Sequence, residues 1–218
     1  MGKVINLSDE NSLINQYVLE LRNVEIQKDS MRFRRNLERI GEICAYEISK
    51  TLSYKTIEVT TPLGEANIPV IDEKIVLITI LRAGLPLHQG VLNYFDNAEN
   101  GFVSAYRKHH KDGTFEIELE YLACPSIEGK TLIISDPMLA TGSSMVNTYK
   151  SLLEKGTPKK IHVVAAISSA EGISYTERNL PENTTIWSAE IDEELTAQYY
   201  IVPGLGDAGD LAFGKKED

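Results

Sequence analysis

Three stretches of this chain are apolar at consecutive positions instead of alternate ones: KIVLITIL at 74–81, Leu132-Ile133-Ile134, and IHVVAAI at 161–167. A strand can be apolar on both faces only where both faces are covered. That is the condition of a central strand in a parallel sheet with helices above and below it. Helical patterns fall between these runs, at Leu85–Phe95, at Val146, Tyr149 and Leu153, and at Glu171–Arg178, and Thr184–Ser188 reads as a further short strand. Strands alternating with helices predict an α/β fold, doubly wound around a largely parallel sheet. Ligands of such folds gather at the carboxyl ends of the strands. Arg82, Asp136 and Ser168 fall at those ends.

The remaining segments decorate that sheet. Residues 11–52 read as an N-terminal helical segment, with Phe33, Leu37, Ile40, Cys44 and Ile48 at spacings of three and four and Ser30 as an N-cap. Tyr54 to Val70 reads as a β-hairpin turned by Pro62-Leu63-Gly64. A protruding β-arm is expected over about 102–122. In its second strand Phe115, Ile117, Leu119 and Tyr121 alternate with Glu116, Glu118 and Glu120, a half-buried pattern with a solvated acidic face. The turn of the arm lies around Lys111-Asp112-Gly113, and its tip is expected to be mobile enough to close over a site. His109 and His110 beside it are read as solvated loop residues. The whole of 1–218 is one domain by length.

Composition narrows the function classes. The net charge of −10 argues against a nucleic-acid surface, so any anionic substrate must be drawn in by local arginines and backbone dipoles. No apolar run approaches the ~18 residues of a membrane span, and MGKVINLSDE lacks the core of a signal peptide. It begins like a myristoylation signal, but Asn6 stands where Ser or Thr is required. Cys44 and Cys124 have no metal-ligand spacing and read as reduced residues of a cytoplasmic protein.

Chemistry concentrates in 130–146, KTLIISDPMLATGSSMV. A buried strand ends at Asp136, a turn of Pro, Ala, Thr, Gly and Ser follows, and a helix starts. Unpaired amides at a helix N-terminus beside the Thr141, Ser143 and Ser144 hydroxyls make a phosphate site. Asp136 repels phosphate, so it is suited to sugar hydroxyls or to a bound cation. No Lys follows the Gly, which excludes a Walker A loop. Near the C-terminus, Gly204-Leu205-Gly206-Asp207-Ala208-Gly209 matches G-x-G-x-x-G formally, yet too little chain follows for a dinucleotide fold. Tyr199, Tyr200, Ile201 and Val202 anchor this segment instead, so that its main chain can be presented to a planar base.

The string DPMLATGSS resembles the PRPP-binding loop of phosphoribosyltransferases, in the version of the uracil phosphoribosyltransferases, DPMLATGGS. Ser143 stands where that family usually has Gly. A positive φ there would strain a serine. The start of a helix favours helical values, with the hydroxyl added to the phosphate site. YIVPGLGDAGD resembles the family's uracil-binding segment, here about 199–214 and continuing Leu211-Ala212-Phe213-Gly214. ILRAG at 80–84 and Tyr106-Arg107 match its diphosphate-contacting arginines. The likeness runs from about Leu21-Arg22 to Gly214.

The resemblance implies a pentosyltransferase of pyrimidine salvage that converts uracil and PRPP to UMP and diphosphate. PRPP would be held by Arg82, Arg107, Asp136, Pro137, Met138, Leu139, Ala140, Thr141, Gly142, Ser143, Ser144 and Asp207. Uracil would be held by Ile201, Gly206, Asp207 and Ala208. Arg107 and Asp207 are the candidate catalytic residues. Mg²⁺ is implied as cofactor, carried mainly by PRPP and not by side chains. Partners are the two small molecules, with no nucleic acid or membrane. A homodimer or homotetramer, with GTP as an allosteric activator, is compatible with the likeness. Two alternatives stay open at this level: a regulatory PRPP-binding protein of the same fold, and a phosphoribosyltransferase for another base.

Overall fold

A computed structural model describes the backbone of residues 2–109 and 115–216, and the side chains of these residues outside 105–120. The sheet is built from β1 (Lys3–Asn6), β4 (Ile75–Leu81), β5 (Glu99–His109), β6 (Phe115–Ala123), β7 (Thr131–Ser135), β8 (Met138–Leu139), β9 (Lys160–Ser169) and β10 (Thr184–Asp192). Its order is β1-β10-β9-β7-β4-β5-β6, with the short β8 alongside β9. Every pairing is parallel except that of β5 with β6.

The consecutive apolar runs divide between two faces, as the two-residue period of a strand requires. Leu77, Ile133, Val164, Ala166 and Trp187 face α1 (Leu13–Arg22), α2 (Ser30–Ser49) and α3 (Leu85–Tyr94). Val76, Ile78, Leu132, Ile134, Val163 and Ala165 face α4 (Ser143–Leu152) and α5 (Ala170–Asn179). The expected doubly wound sheet is therefore present. On α2, Phe33, Leu37, Ile40, Cys44 and Ile48 are buried along one stripe, and truncating any of the large ones to Ala should cost ~2–5 kcal/mol.

The N-terminal helical segment is two helices. Asn23 accepts from the amides of Glu25 and Ile26 through its Oδ1, a local turn that competes with helix continuation. The N-cap of α2 is Asp29, not Ser30: its carboxylate accepts from the amides of Met31 and Arg32, and Ser30 is the first helical residue. β10 runs beyond Ser188 to Asp192, because β9 continues to offer backbone partners as far as Asp192, while the unexpected β1 closes the other edge only up to Ser188. The hairpin forms as expected from β2 (Tyr54–Thr61) and β3 (Gly64–Ile71), a separate two-stranded sheet. The strands of the β-arm pair as β5 and β6, while the turn around Lys111-Asp112-Gly113, with its expected mobility, lies outside the described residues.

Beyond β10 the chain makes a small hairpin of β11 (Glu194–Leu195) and β12 (Ile201–Val202) and ends in α6 (Ala208–Phe213). Ile201, Leu205, Ala208 and Ala212 of this tail are buried in the same core cluster as α2 and β9, and Ala83, Met138 and Ala140 pack against that cluster. One apolar cluster thus holds three sequence-distant segments together at the carboxyl end of the sheet.

Candidate active site

The loop after β7 is built by its own side chains and by β9. The Asp136 amide donates to the Val164 carbonyl at 3.1 Å, and Pro137 accepts from the amides of Ala166 and Ile167. Asp136 Oδ1 turns back to accept from the Met138 amide at 3.2 Å. Gly142 is the N-cap of α4 with φ +75°, and no side chain caps the helix there. The first-turn amides of α4 have no intrahelical acceptors. One of them is partly served: Thr141 Oγ1 accepts from the Ser143 amide at 3.3 Å. The same hydroxyl lies 3.1 Å from Ser143 Oγ. A cleft of about 40 Å³ lies over this turn, lined by Asp136, Ala140, Thr141, Gly142 and Ser144 among others.

The positive φ falls on Gly142 and not on the residue after it. Ser143 is the first residue of α4, and Tyr199 is the one non-glycine residue with positive φ among the described residues. Strain at Ser143 is therefore absent. Support for the loop comes from α5, which periodicity alone did not point to. Ser169 caps α5 by accepting from the Gly172 amide at 2.8 Å and donates to the Ala140 carbonyl at 2.5 Å. Ser168, which falls at a strand end as expected, is fully buried and paired with Ser188 at 2.8 Å, so it supports the sheet and does not line the cleft.

Burial pushes the Asp136 carboxyl up to about 7, partly offset by the Met138 amide. At neutral pH it is poised between donor and acceptor, which suits a sugar hydroxyl better than a phosphate. Among the described residues, no group of three His, Cys, Asp or Glu side chains comes together to hold a metal ion. Mg²⁺ beside phosphates commonly takes one carboxylate and otherwise substrate oxygens and water, so it needs no such cluster; Asp136 is a carboxylate that lines this cleft.

Arg82 follows β4 and reaches across to the tail. Its Nη2 donates to the Gly214 carbonyl at 3.3 Å and lies 3.8 Å from Asp210 Oδ1, while its buried Nε has no acceptor. A Cβ placed on Gly209 would stand 4.0 Å from both Arg82 Nη2 and Ala83 Cβ. Arg107 lies on β5 opposite Ile117, beyond Ser104, the last β5 residue paired with β4. Its side chain is outside the described residues. In the tail, Ile201 and Ala208 are buried, whereas Gly206 and Asp207 are exposed. Asp207 is the N-cap of α6, its Oδ1 accepting from the Asp210 amide at 2.9 Å, a role in helix capping that the sequence reading did not include. The structure thus brings Arg82 and the tail into contact and packs the loop against the cluster that carries the tail. The formal G-x-G-x-x-G lies in this tail, with no strand–helix–strand unit around it.

Comparison with known proteins agrees with this geometry. The family model for uracil phosphoribosyltransferase matches residues 8–215. A uracil phosphoribosyltransferase of Porphyromonas gingivalis is 58% identical over 214 residues, covering 98% of this chain and 99% of that one. A solved structure from Aquifex aeolicus superposes with a TM-score of 0.84 at 32% identity, covering 97% of this chain and 98% of the other. A hypoxanthine phosphoribosyltransferase from Staphylococcus aureus shares the fold at a TM-score of 0.51 and 13% identity, covering 85% and 83% of the two chains. A match over nearly the full length, in a chain whose 136–144 loop packs against the cluster that carries the tail at one end of the sheet, places it in the uracil phosphoribosyltransferase family.

Proposed function

We propose that this protein transfers the phosphoribosyl group of PRPP to uracil, giving UMP and diphosphate. The observation that carries the reading is the meeting of Arg82 with the C-terminal tail, in one apolar assembly with the 136–144 loop. The C1–O bond of the ribose breaks as diphosphate leaves, the bond from C1 to uracil N1 forms, and the N1 proton passes to a carboxylate or to water. Such a displacement needs fixed charges where the leaving group gains charge, and exclusion of bulk water.

The 5′-phosphate is assigned to the first-turn amides of α4 and the hydroxyls of Thr141, Ser143 and Ser144. Asp136 receives the ribose hydroxyls. Arg82 and Arg107 neutralise the diphosphate, and the buried, unpartnered Arg82 Nε supports this because an anion oxygen would satisfy it. Mg²⁺ carried by PRPP would supply further charge neutralisation. Asp207 gives Oδ1 to the cap of α6 and leaves Oδ2 to orient PRPP or accept the N1 proton. The main chain around Ile201 and Gly206–Ala208 reads the base. Uracil presents two carbonyl acceptors flanking a donor, whereas cytosine reverses the donor–acceptor pattern at C4 and N3. A site with mispaired buried groups can reject such an analogue by about 10⁴-fold.

The reading extends to a homo-oligomer. The β2–β3 hairpin exposes Leu63 almost completely, together with Tyr54, Ile57 and Ile68, apolar surface that a second copy would cover. No described helix is long and apolar enough to cross a membrane.

The test is a base panel. Uracil, cytosine, orotate and hypoxanthine are each incubated with PRPP and Mg²⁺, with and without GTP and with an EDTA control, and nucleotide formation is followed. UMP from uracil alone is expected. Nucleotide from another base but none from uracil would overturn the substrate, and full-rate UMP in excess EDTA would overturn the metal.

A further inference from the structure

The tail is held by an ion pair between Asp192, shortly before it in the chain, and Arg22, which precedes Gly204 by 182 residues. Arg22, in the last turn of α1, donates through Nη1 to Asp192 Oδ2 at 2.9 Å and through Nη2 to Asp192 Oδ1 at 2.7 Å. Asp192 is the last residue of β10. The pair also takes both polar groups of one buried tail residue. The Gly204 amide donates to Asp192 Oδ2 at 2.9 Å, and the Gly204 carbonyl accepts from Arg22 Nη1 at 3.3 Å. Gln27 Nε2 in turn donates to the carbonyls of Leu21 and Arg22 at 2.9 and 3.1 Å, which ties down the end of the helix that carries the guanidinium.

A buried ion pair recovers little net stability, because desolvation offsets most of its Coulomb attraction. This one has a geometric consequence instead. With the amide and the carbonyl of Gly204 both held, the peptide planes on either side of it have one orientation, and the chain leaves Gly204 toward Leu205 and Gly206 in one direction. Charge-assisted and bidentate hydrogen bonds are the kind that fix geometry in this way.

We propose that Arg22 and Asp192 are positioning residues for base recognition: they set the main-chain register that the 204–208 segment presents to uracil. The proposal rests on the reading of the tail as the base site. Neither side chain need touch either substrate.

The experiment uses Arg22→Lys, which keeps the charge and loses the fork, and Asp192→Asn, which keeps the shape and loses the charge. Steady-state kinetics in the full-length protein should show KM for uracil raised about tenfold or more, the loss expected for misaligned charge-assisted hydrogen bonds. KM for PRPP should stay within about twofold, a smaller change than one lost contact makes. Preference for uracil over cytosine should fall. A purely structural role would lower the thermal midpoint and the active fraction, with KM for uracil and base preference unmoved, and that result would overturn the proposal. So would failure of both variants to fold. Gly206→Ala separates this proposal from the reading beneath it. Gly206 has φ +96° with open space around it, so Ala there disturbs only the local main chain. If Gly206→Ala raises KM for uracil and Arg22→Lys does not, the positioning role fails alone. If neither does, the tail is not the base site.

Discussion

Gly142→Ala probes whether the turn before α4 is as tight as the structure has it. Gly142 sits at φ +75°, where an L-residue costs ~1–2 kcal/mol. A Cβ there would also stand 2.6 Å from Thr176 Oγ1 and 2.8 Å from the Gly172 carbonyl oxygen. The second contact is backbone in the first turn of α5 and cannot rotate away, so relief requires the loop or the helix to shift. Overpacking of this kind adds ~1–3 kcal/mol. The total of about 2–5 kcal/mol corresponds to a fall of roughly 5–15 °C in the thermal midpoint for a chain of this length. The same shift moves the amides assigned to the 5′-phosphate, so KM for PRPP should rise more than KM for uracil. Differential scanning calorimetry and initial rates read the two effects. A double mutant with Thr176→Ala removes the 2.6 Å contact but not the carbonyl contact, and should recover part of the loss non-additively. A midpoint within about 2 °C of the parent, less than the shift expected from 1 kcal/mol, with PRPP kinetics unchanged, would refute both the left-handed turn and the tight contact.

Three further outcomes follow from the same site and core. His162 is buried, its Nδ1 accepting from Trp187 Nε1 at 3.1 Å, and burial holds its pKa down from 6.5 to about 4. Its contribution to stability is present above pH 6.5 and is lost as pH falls toward 4, by about 3 kcal/mol across the window; chemical denaturation against pH should lose that slope in His162→Gln. Asp136 is perturbed in the opposite sense for stability, since burial raises its pKa from 3.8 to about 7 and the stability associated with the protonated form is lost as pH rises through that range. Asp136→Asn should therefore raise the thermal midpoint at pH 8 while weakening PRPP binding, and a variant less stable than its parent at that pH would contradict the raised carboxyl pKa. Ser143→Gly should weaken PRPP binding several-fold, about the contribution of one neutral hydrogen bond. Tighter binding, measured by calorimetric titration, would show that the serine hinders the loop.

The amino-acid sequence by itself determined the class of fold and singled out the loop and the tail to which the chemistry is assigned in our proposal. Runs such as 74–81 and 161–167 call for a doubly covered parallel sheet, because an apolar residue on an uncovered face would be left in contact with water. The 136–144 loop was legible because a strand, a small-residue turn and a helix start impose their own local geometry. The division of 11–52 into two helices was harder to read, since the competing turn at Asn23 and the cap at Asp29 are single side-chain choices inside a helical pattern. β1 was illegible, because four residues carry no periodicity and pair only once β10 exists beside them.

What lay beyond the sequence was every relation between distant segments. Nothing in Arg22, Asp192 or Gly204 taken singly marks them as partners, yet they make one hydrogen-bonded unit across more than 180 residues between Arg22 and Gly204. The same holds for Arg82 and Gly214, and for the role of Gly172 in limiting the turn at Gly142. Local propensity and periodicity act over a few residues. Side-chain hydrogen bonds and close backbone contacts depend on three-dimensional distance, which the chain acquires only when its core packs.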